Sequence, residues 1–264
     1  MKTINLGCKD IFFYKKKSIV CENKLISFEY PIVMGILNLS PDSLFYIGNR
    51  NLSGLALLRE AEKMIKDGAT ILDIGAMSTR PGSLPISEEE ERYRLLPAIA
   101  IIKRNFPDAI ISIDTYRSSI AKAAIDNGAS MINDISGGTL DNMMFDTIAK
   151  LQVPYILMHI KGTPQNMQEN PVYKDVVNEI LDFLLKRIKI LNDLGVKDVI
   201  IDVGFGFGKT IEDNYKLLRN LHKFHITEAP ILVGISRKSM INKVLNISPE
   251  DALNGTTVLN TLAL

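Results

Sequence analysis

The stretch DVGFGFGKT, from Asp202 to Thr210, holds three glycines, two phenylalanines, an aspartate and a Gly-Lys-Thr ending. A Walker loop needs Gly-x-x-x-x-Gly-Lys-[Ser/Thr], and the first glycine would fall at position 203, which is Val. The dinucleotide fingerprint Gly-x-Gly-x-x-Gly fits Gly204 and Gly206 but then meets Lys209. The chemistry on offer is instead that of a flat heterocycle. An aspartate accepts two parallel N–H bonds from an amidine-like edge, as guanine-type rings present. Phe205 and Phe207 would supply an apolar face, and the glycines would let backbone and ring approach closely.

Other hydrogen-bonding residues recur at the ends of apolar runs: Asn38, Asp73, Asp114 with Thr115, Asn133 with Asp134, His159, Asp202, and Ser236-Arg237-Lys238. Two motifs suit an anion. STRPG at 78–82 places Thr79 and Arg80 in a turn, and SRKS at 236–239 adds Arg237. Two arginines and Thr79 would hold a diphosphate, with a divalent metal through Asn38. No zinc-ligand spacing and no Gly-x-Ser-x-Gly elbow occurs, and a lone His159 reads as a structural histidine.

The elements that must position these residues follow from the hydrophobic rhythm. Seven apolar runs, at 31–38, 69–76, 109–115, 131–136, 155–160, 198–204 and 231–236, read as parallel strands buried on both faces. Helical patterns separate them. Leu57, Ala61, Met64 and Ile65 share a face ended by Gly68, and a long amphipathic helix ends at Gly195. Ser87 with Glu90 forms a capping box before a helix that Pro97 should kink. Such alternation predicts a parallel α/β fold curling toward a barrel, whose strand ends meet on one rim. Any one of these polar residues reads as a cap; all seven together read as a shared site.

The chain has 264 residues, 46% hydrophobic and 23% charged, with a net charge of +1. That balance suits one globular domain over 1–264, with 1–30 as an N-terminal β-hairpin extension. It offers no strong field for nucleic acid or an anionic membrane, and no apolar run approaches a transmembrane span. Lys15-Lys16-Lys17 reads as a solvated turn, and Cys8 and Cys21 as a reduced cytoplasmic pair.

Seven ordered motifs, MGILNLSPDS, DIGAMSTRPGS, SIDTY, NDISGG, MHIKGTPQNMQ, DVGFGFGKT and GISRKSMI, resemble those of the dihydropteroate synthase family from about Pro31 onward. The resemblance implies a (β/α)8 TIM barrel. It implies a cytoplasmic homodimer that joins p-aminobenzoate to 6-hydroxymethyl-7,8-dihydropterin diphosphate, with Mg2+ as cofactor. It assigns Asp73, Asp114, Asn133, Met158, Asp202, Phe207 and Lys238 to the pterin. Asn38, Thr79, Arg80 and Arg237 go to the diphosphate, Asn38 also to the metal, and Pro81, Ser239 and Phe45 to p-aminobenzoate. Asp114, Asp202, Lys238 and Arg80 are the expected catalytic set.

Three positions depart from the family pattern. PDSLFYIGN replaces PDSF followed by Ser-Asp-Gly-Gly, Val203 replaces a proline, and no eighth strand with Arg-x-His-Asp follows GTTVLNTLAL. The expectation is that the natural protein continues past Leu264 through an eighth strand and helix. The rival readings are a pterin-dependent methyltransferase, which has no need of STRPG and SRKS, an inactive pterin-binding relic, and an unrelated sugar-phosphate barrel.

Overall fold

A computed structural model describes residues 16–39, 53–77 and 83–264. Strands β1 (Ser18–Cys21) and β2 (Lys24–Ser27) form an antiparallel hairpin through Glu22 and Asn23, at φ 48° and 64°. Two positive φ values make the tight turn whose twist matches paired strands. Asn adopts this conformation readily, whereas Glu22 is held there by Lys103 at 2.7 Å and the Ser130 hydroxyl at 2.6 Å.

Seven βα-type units follow: β3 (Val33–Asn38), α1 (Ser53–Lys66), β4 (Ala69–Gly75), α2 (Glu88–Asn105), β5 (Ile110–Asp114), α3 (Ser118–Asp126), β6 (Met131–Asp134), α4 (Met144–Leu151), β7 (Tyr155–Met158), α5 (Val176–Asp193), β8 (Val199–Asp202), α6 (Ile211–Arg219), a 3₁₀ helix (Leu221–Thr227), β9 (Ile231–Leu232), α7 (Ser239–Leu245) and α8 (Leu253–Ala263). All seven expected parallel strands are present, and their order in the sheet is their order in the chain. Among the described residues the curled sheet has two edges, β3 and β9. Val33 and Ile36 on β3 are accordingly 60% and 57% exposed.

Strand alternation divides the core. Leu72, Ile74, Ile111, Ile113, Ile132, Leu157 and Ile201 point outward and pack with the helices. Ile71, Met131, Ile156 and Ile200 point inward and pack on Ile19, Cys21 and Ile26 of the hairpin. The hairpin therefore plugs the N-terminal mouth of the barrel and leaves the C-terminal rim to the site.

Some local expectations change. The last strand covers only Ile231–Leu232, which pair with Ile201 and Asp202 of β8. Pro97 lies within α2, where the sequence places a kink. Ser87 caps α2 by accepting from the Glu90 N–H at 3.1 Å, but the Glu90 carboxylate turns to Arg94 at 2.7 Å. Lys16 forms an ion pair with Asp198 across the barrel floor and is no free turn residue. Phe205 is fully buried in the main core cluster, whereas Phe207 joins the wall beside the rim. Cys21 is a buried free thiol, and Cys8 lies outside the described residues.

Candidate active site

Sheet register assembles the first half of the site. Asn38 pairs with Gly75, Gly75 with Asp114, and Asp114 with Asn133, forming one transverse row across β3 to β6. A Cβ on Gly75 would stand 3.3 Å from the Asp114 carboxylate and 3.7 Å from Asn38 Oδ1. The glycine thus leaves the middle of the row open between two oxygen-bearing side chains. Burial first, and then the Asp73, Glu91 and Asp134 carboxylates, hold the Asp114 carboxyl well above the usual range.

Asp73 stands under this row. It is 3% exposed, and its Oδ2 accepts from Asn133 Nδ2 at 3.0 Å. Asp73 also pairs in register with Ser112 of β5, and burial raises its pKa while the Ser112 and Asn133 side chains oppose the rise. Asp73 therefore braces Asn133 from below.

The second half of the site comes from β7, β8 and the turn after β9. Met158 pairs with Asp202. The Asp202 carboxylate accepts from the Gly204 N–H at 2.7 Å. Burial raises its pKa, and the Lys238 charge is the largest opposing influence. Lys238 lies 4.7 Å from the centre of the Phe207 ring and donates to the Phe205 carbonyl. Burial lowers its ammonium to about 8, with Asp202 opposing. A Cβ on Gly234 would stand 3.7 Å from Lys238 Nζ and 3.9 Å from Asp202 Oδ2, so both charges converge there. Phe207 packs with Met158, Ile135, Ile160, Met167 and Tyr116 as an apolar wall beside them. The rim thus combines carboxylates, a carboxamide and an ammonium with an apolar wall, a set suited to a flat, donor-rich ring.

The remaining expected residues fall in different places. Ser239 opens α7 and is exposed, next to Lys238. Arg237 adopts φ 53°, and its guanidinium donates to the carbonyls of Pro249 at 3.1 Å and Glu250 at 2.8 Å. In this arrangement Nη1 serves the turn between α7 and α8. Phe45, Thr79, Arg80 and Pro81 lie outside the described residues. His159 is buried, its ring edge-on to Phe183 at 4.9 Å, and burial with the Lys209 charge pushes it down to about 2. It is a neutral structural histidine.

One supporting network escaped the sequence reading. Glu91 of α2 is 1% exposed and accepts from the Thr115 hydroxyl at 2.6 Å and from Arg117. Arg117 also donates to the Ile86 carbonyl at 2.7 Å, and Arg94 donates to the Ala76 carbonyl at 3.0 Å. The network ties α2 to the segment after Asp114. Its signal was hidden in the run Glu88-Glu89-Glu90-Glu91, which suits any helix N-terminus.

Comparison with known proteins agrees with this geometry. The family described as pterin binding enzyme matches residues 34–264. Dihydropteroate synthase of Haemophilus influenzae is 40% identical over 240 residues, covering 90% of this chain and 86% of the relative. That of Clostridium beijerinckii is 42% identical over 238 residues, covering 89% and 85%. The Yersinia pestis dihydropteroate synthase structure with a sulfonamide drug complex superposes with a TM-score of 0.86 at 36% identity, over 93% of this chain and 89% of that one. The Xanthomonas albilineans enzyme with 4-aminobenzoic acid gives 0.85 at 34% identity, over 94% and 88%. A shared fold, a family match over residues 34–264 and identities near 40% over most of both chains converge on one assignment: the chain belongs to the dihydropteroate synthase family of pterin-binding enzymes.

Proposed function

We propose that this chain joins p-aminobenzoate to 6-hydroxymethyl-7,8-dihydropterin diphosphate, giving 7,8-dihydropteroate and diphosphate. The observation that carries the reading is the convergence of Asp202 and Lys238 opposite the Asn38–Gly75–Asp114–Asn133 row, beside the Met158–Phe207 wall. Asp202 would accept from the N–H groups of the pterin edge, and Lys238 would donate to its carbonyl side. The electron-rich ring stabilises positive charge on the methylene as its C–O bond breaks and the electron pair leaves with diphosphate. The amine lone pair then forms the C–N bond, and the amine sheds a proton. An arylamine is unprotonated near neutral pH, so positioning and charge complementarity suffice without a strong base.

Thr79 and Arg80 are proposed to hold the diphosphate, and Pro81, Ser239 and Phe45 to line the p-aminobenzoate site. Among the described residues no group of three His, Cys, Asp or Glu side chains could hold a metal. The Asn38 carboxamide oxygen would be one hard oxygen ligand for Mg2+, a cation that keeps several waters and takes the rest of its shell from substrate phosphates. When bound, Mg2+ would neutralise charge on the diphosphate. No helix among the described residues is long and apolar enough to cross a membrane. The same reading takes the protein as a cytoplasmic homodimer, which sedimentation would check.

The decisive experiment pairs Asp202→Asn with Arg80→Ala. Loss of a charge-assisted hydrogen bond is worth roughly 1.5–3 kcal/mol, so Asp202→Asn should weaken dihydropterin binding by about tenfold to a hundredfold. Arg80→Ala should spare the bare pterin and slow turnover of its diphosphate. Unchanged dihydropterin affinity in folded Asp202→Asn would place the ring elsewhere.

A further inference from the structure

Lys209 has no part in the chemistry above, although it is only 3% exposed. Its ammonium donates to the Phe207 carbonyl at 2.9 Å and the His159 carbonyl at 3.3 Å, and meets His159 Nδ1 at 3.2 Å. Neutral His159 offers Nδ1 as an acceptor, so all three N–H groups are used. Thr210, the next residue, caps α6: its hydroxyl oxygen accepts from the Asp213 N–H at 3.1 Å, and the Asp213 carboxylate accepts from the Thr210 N–H at 3.1 Å. The Gly-Lys-Thr ending thus serves the protein itself.

The contacts of Lys209 tie the loop after β8 to the end of β7. The two backbones already touch, since a Cβ on Gly204 would lie 2.0 Å from the His159 carbonyl oxygen and 3.3 Å from Lys209 Nζ. The ammonium therefore sits beneath the turn onto which Asp202 closes. We propose that Lys209 is a positioning residue for pterin recognition: it fixes Phe207 against Met158 and supplies, behind Asp202, a second buried positive charge that keeps this carboxylate ionised. This rests on the pterin-binding reading above.

The electrostatics agree with the geometry. Burial raises the Asp202 pKa, and Lys238, the Gly204 N–H and Lys209 oppose it, in that order. Burial lowers Lys209 to about 7, while Asp202 holds it up most strongly. The other groups facing Lys209 are Lys238 and Lys161, which lower it, Asp213, which raises it, and neutral His159. An ionised Asp202 is what the ring edge requires, so affinity is lost as pH falls through the Asp202 pKa. Removing the Lys209 charge raises that pKa and moves the acid limb of binding to higher pH.

The test is Lys209→Met, followed by calorimetry with 7,8-dihydropterin across pH 5 to 9 beside the unmodified protein. Expected are an affinity about tenfold lower near neutral pH, an acid limb displaced to higher pH, and a rise in KM for the pterin diphosphate larger than the fall in kcat. A folded variant with unchanged affinity overturns the proposal. Uniform weakening with an unmoved acid limb also overturns it, because that reports packing alone. Failure of the unmodified protein to bind dihydropterin would instead sink the pterin reading itself. A second measurement needs no change at Lys209. In 13C-lysine NMR, with Lys238 assigned through Lys238→Met, Asp202→Asn should move the Lys209 titration to lower pH. An unmoved midpoint overturns the coupling.

Discussion

Asn133 donates Nδ2 to the buried carboxylate of Asp73 at 3.0 Å, and this bond decides which atoms of the carboxamide face the pocket. Exchange of its oxygen and nitrogen would set carbonyl against carboxylate. The pocket therefore receives Oδ1 and one N–H side by side, a complement for a ring edge with adjacent donor and acceptor.

Asp73→Ala should release that amide. Dihydropterin affinity is expected to fall by about tenfold, the value of one well-oriented hydrogen bond. Stability should fall by about 1–3 kcal/mol, because the buried Asn133 Nδ2 loses its acceptor. Calorimetry and thermal unfolding of the same sample check both statements. Unaltered affinity would mean that Asn133 needs no brace.

Gly204→Ala and Gly195→Ala form a matched pair. Both positions have positive φ, 70° and 82°. A Cβ at 204 would strike the His159 carbonyl oxygen at 2.0 Å, whereas one at 195 meets nothing within 4 Å. Gly195→Ala should cost about 1 kcal/mol from backbone strain alone. Gly204→Ala should cost roughly 3 kcal/mol or more, with loss of pterin binding. Denaturant titration compares them, and equal costs would contradict the backbone contact between the two loops.

Ile19→Ala tests the separation of floor from rim. Ile19 is 1% exposed and packs in the cluster with Ile71, Met131, Ile156 and Ile200. Its truncation should cost about 2–4 kcal/mol. At a temperature where the variant remains folded, kcat/KM should match that of the parent. Reduced kcat/KM in a folded sample would show that hairpin packing reaches the rim.

Cys21 should resist alkylation in the native protein at pH 8. Burial, and then the neighbouring Glu22 carboxylate, push its thiol up to about 12, so almost no thiolate forms. Unfolding should restore ordinary reactivity. Peptide-resolved mass spectrometry would score Cys8 separately. Rapid native labelling at Cys21 would reveal that the hairpin opens readily.

The barrel was legible because parallel strands buried on two faces leave near-continuous apolar runs, each ended by a polar residue. Asn38, Asp114, Asn133 and Asp202 fall together for that reason. Asp73 was harder to place. It shares a face with Gly75 but lies two residues earlier, so the glycine holds the rim position and the carboxylate stands below it. Phe205 and Phe207 read as a pair from their spacing, yet positive φ at Gly204 and Gly206 turns the first into the core and the second toward the site. A left-handed Arg237 likewise brings its Nη1 onto the carbonyls of Pro249 and Glu250, a contact no sequence pattern announced. No hydrophobic period announces a buried lysine such as Lys209, because its burial is set by contacts between two loops.

The order of strands in the sheet equals their order in the chain, and this has a consequence for assembly during synthesis. Each new strand finds its partner already made, so the barrel wall can grow by successive additions over short chain separations. The hairpin cannot follow that schedule. Residues 18–27 are made early, yet their apolar face needs Ile71, Met131, Ile156 and Ile200, from four different strands. Ile19 and Ile26 therefore stay without their full cover until β8 leaves the ribosome. The plug that seals the finished barrel is the segment that a nascent chain must keep from foreign apolar surfaces the longest.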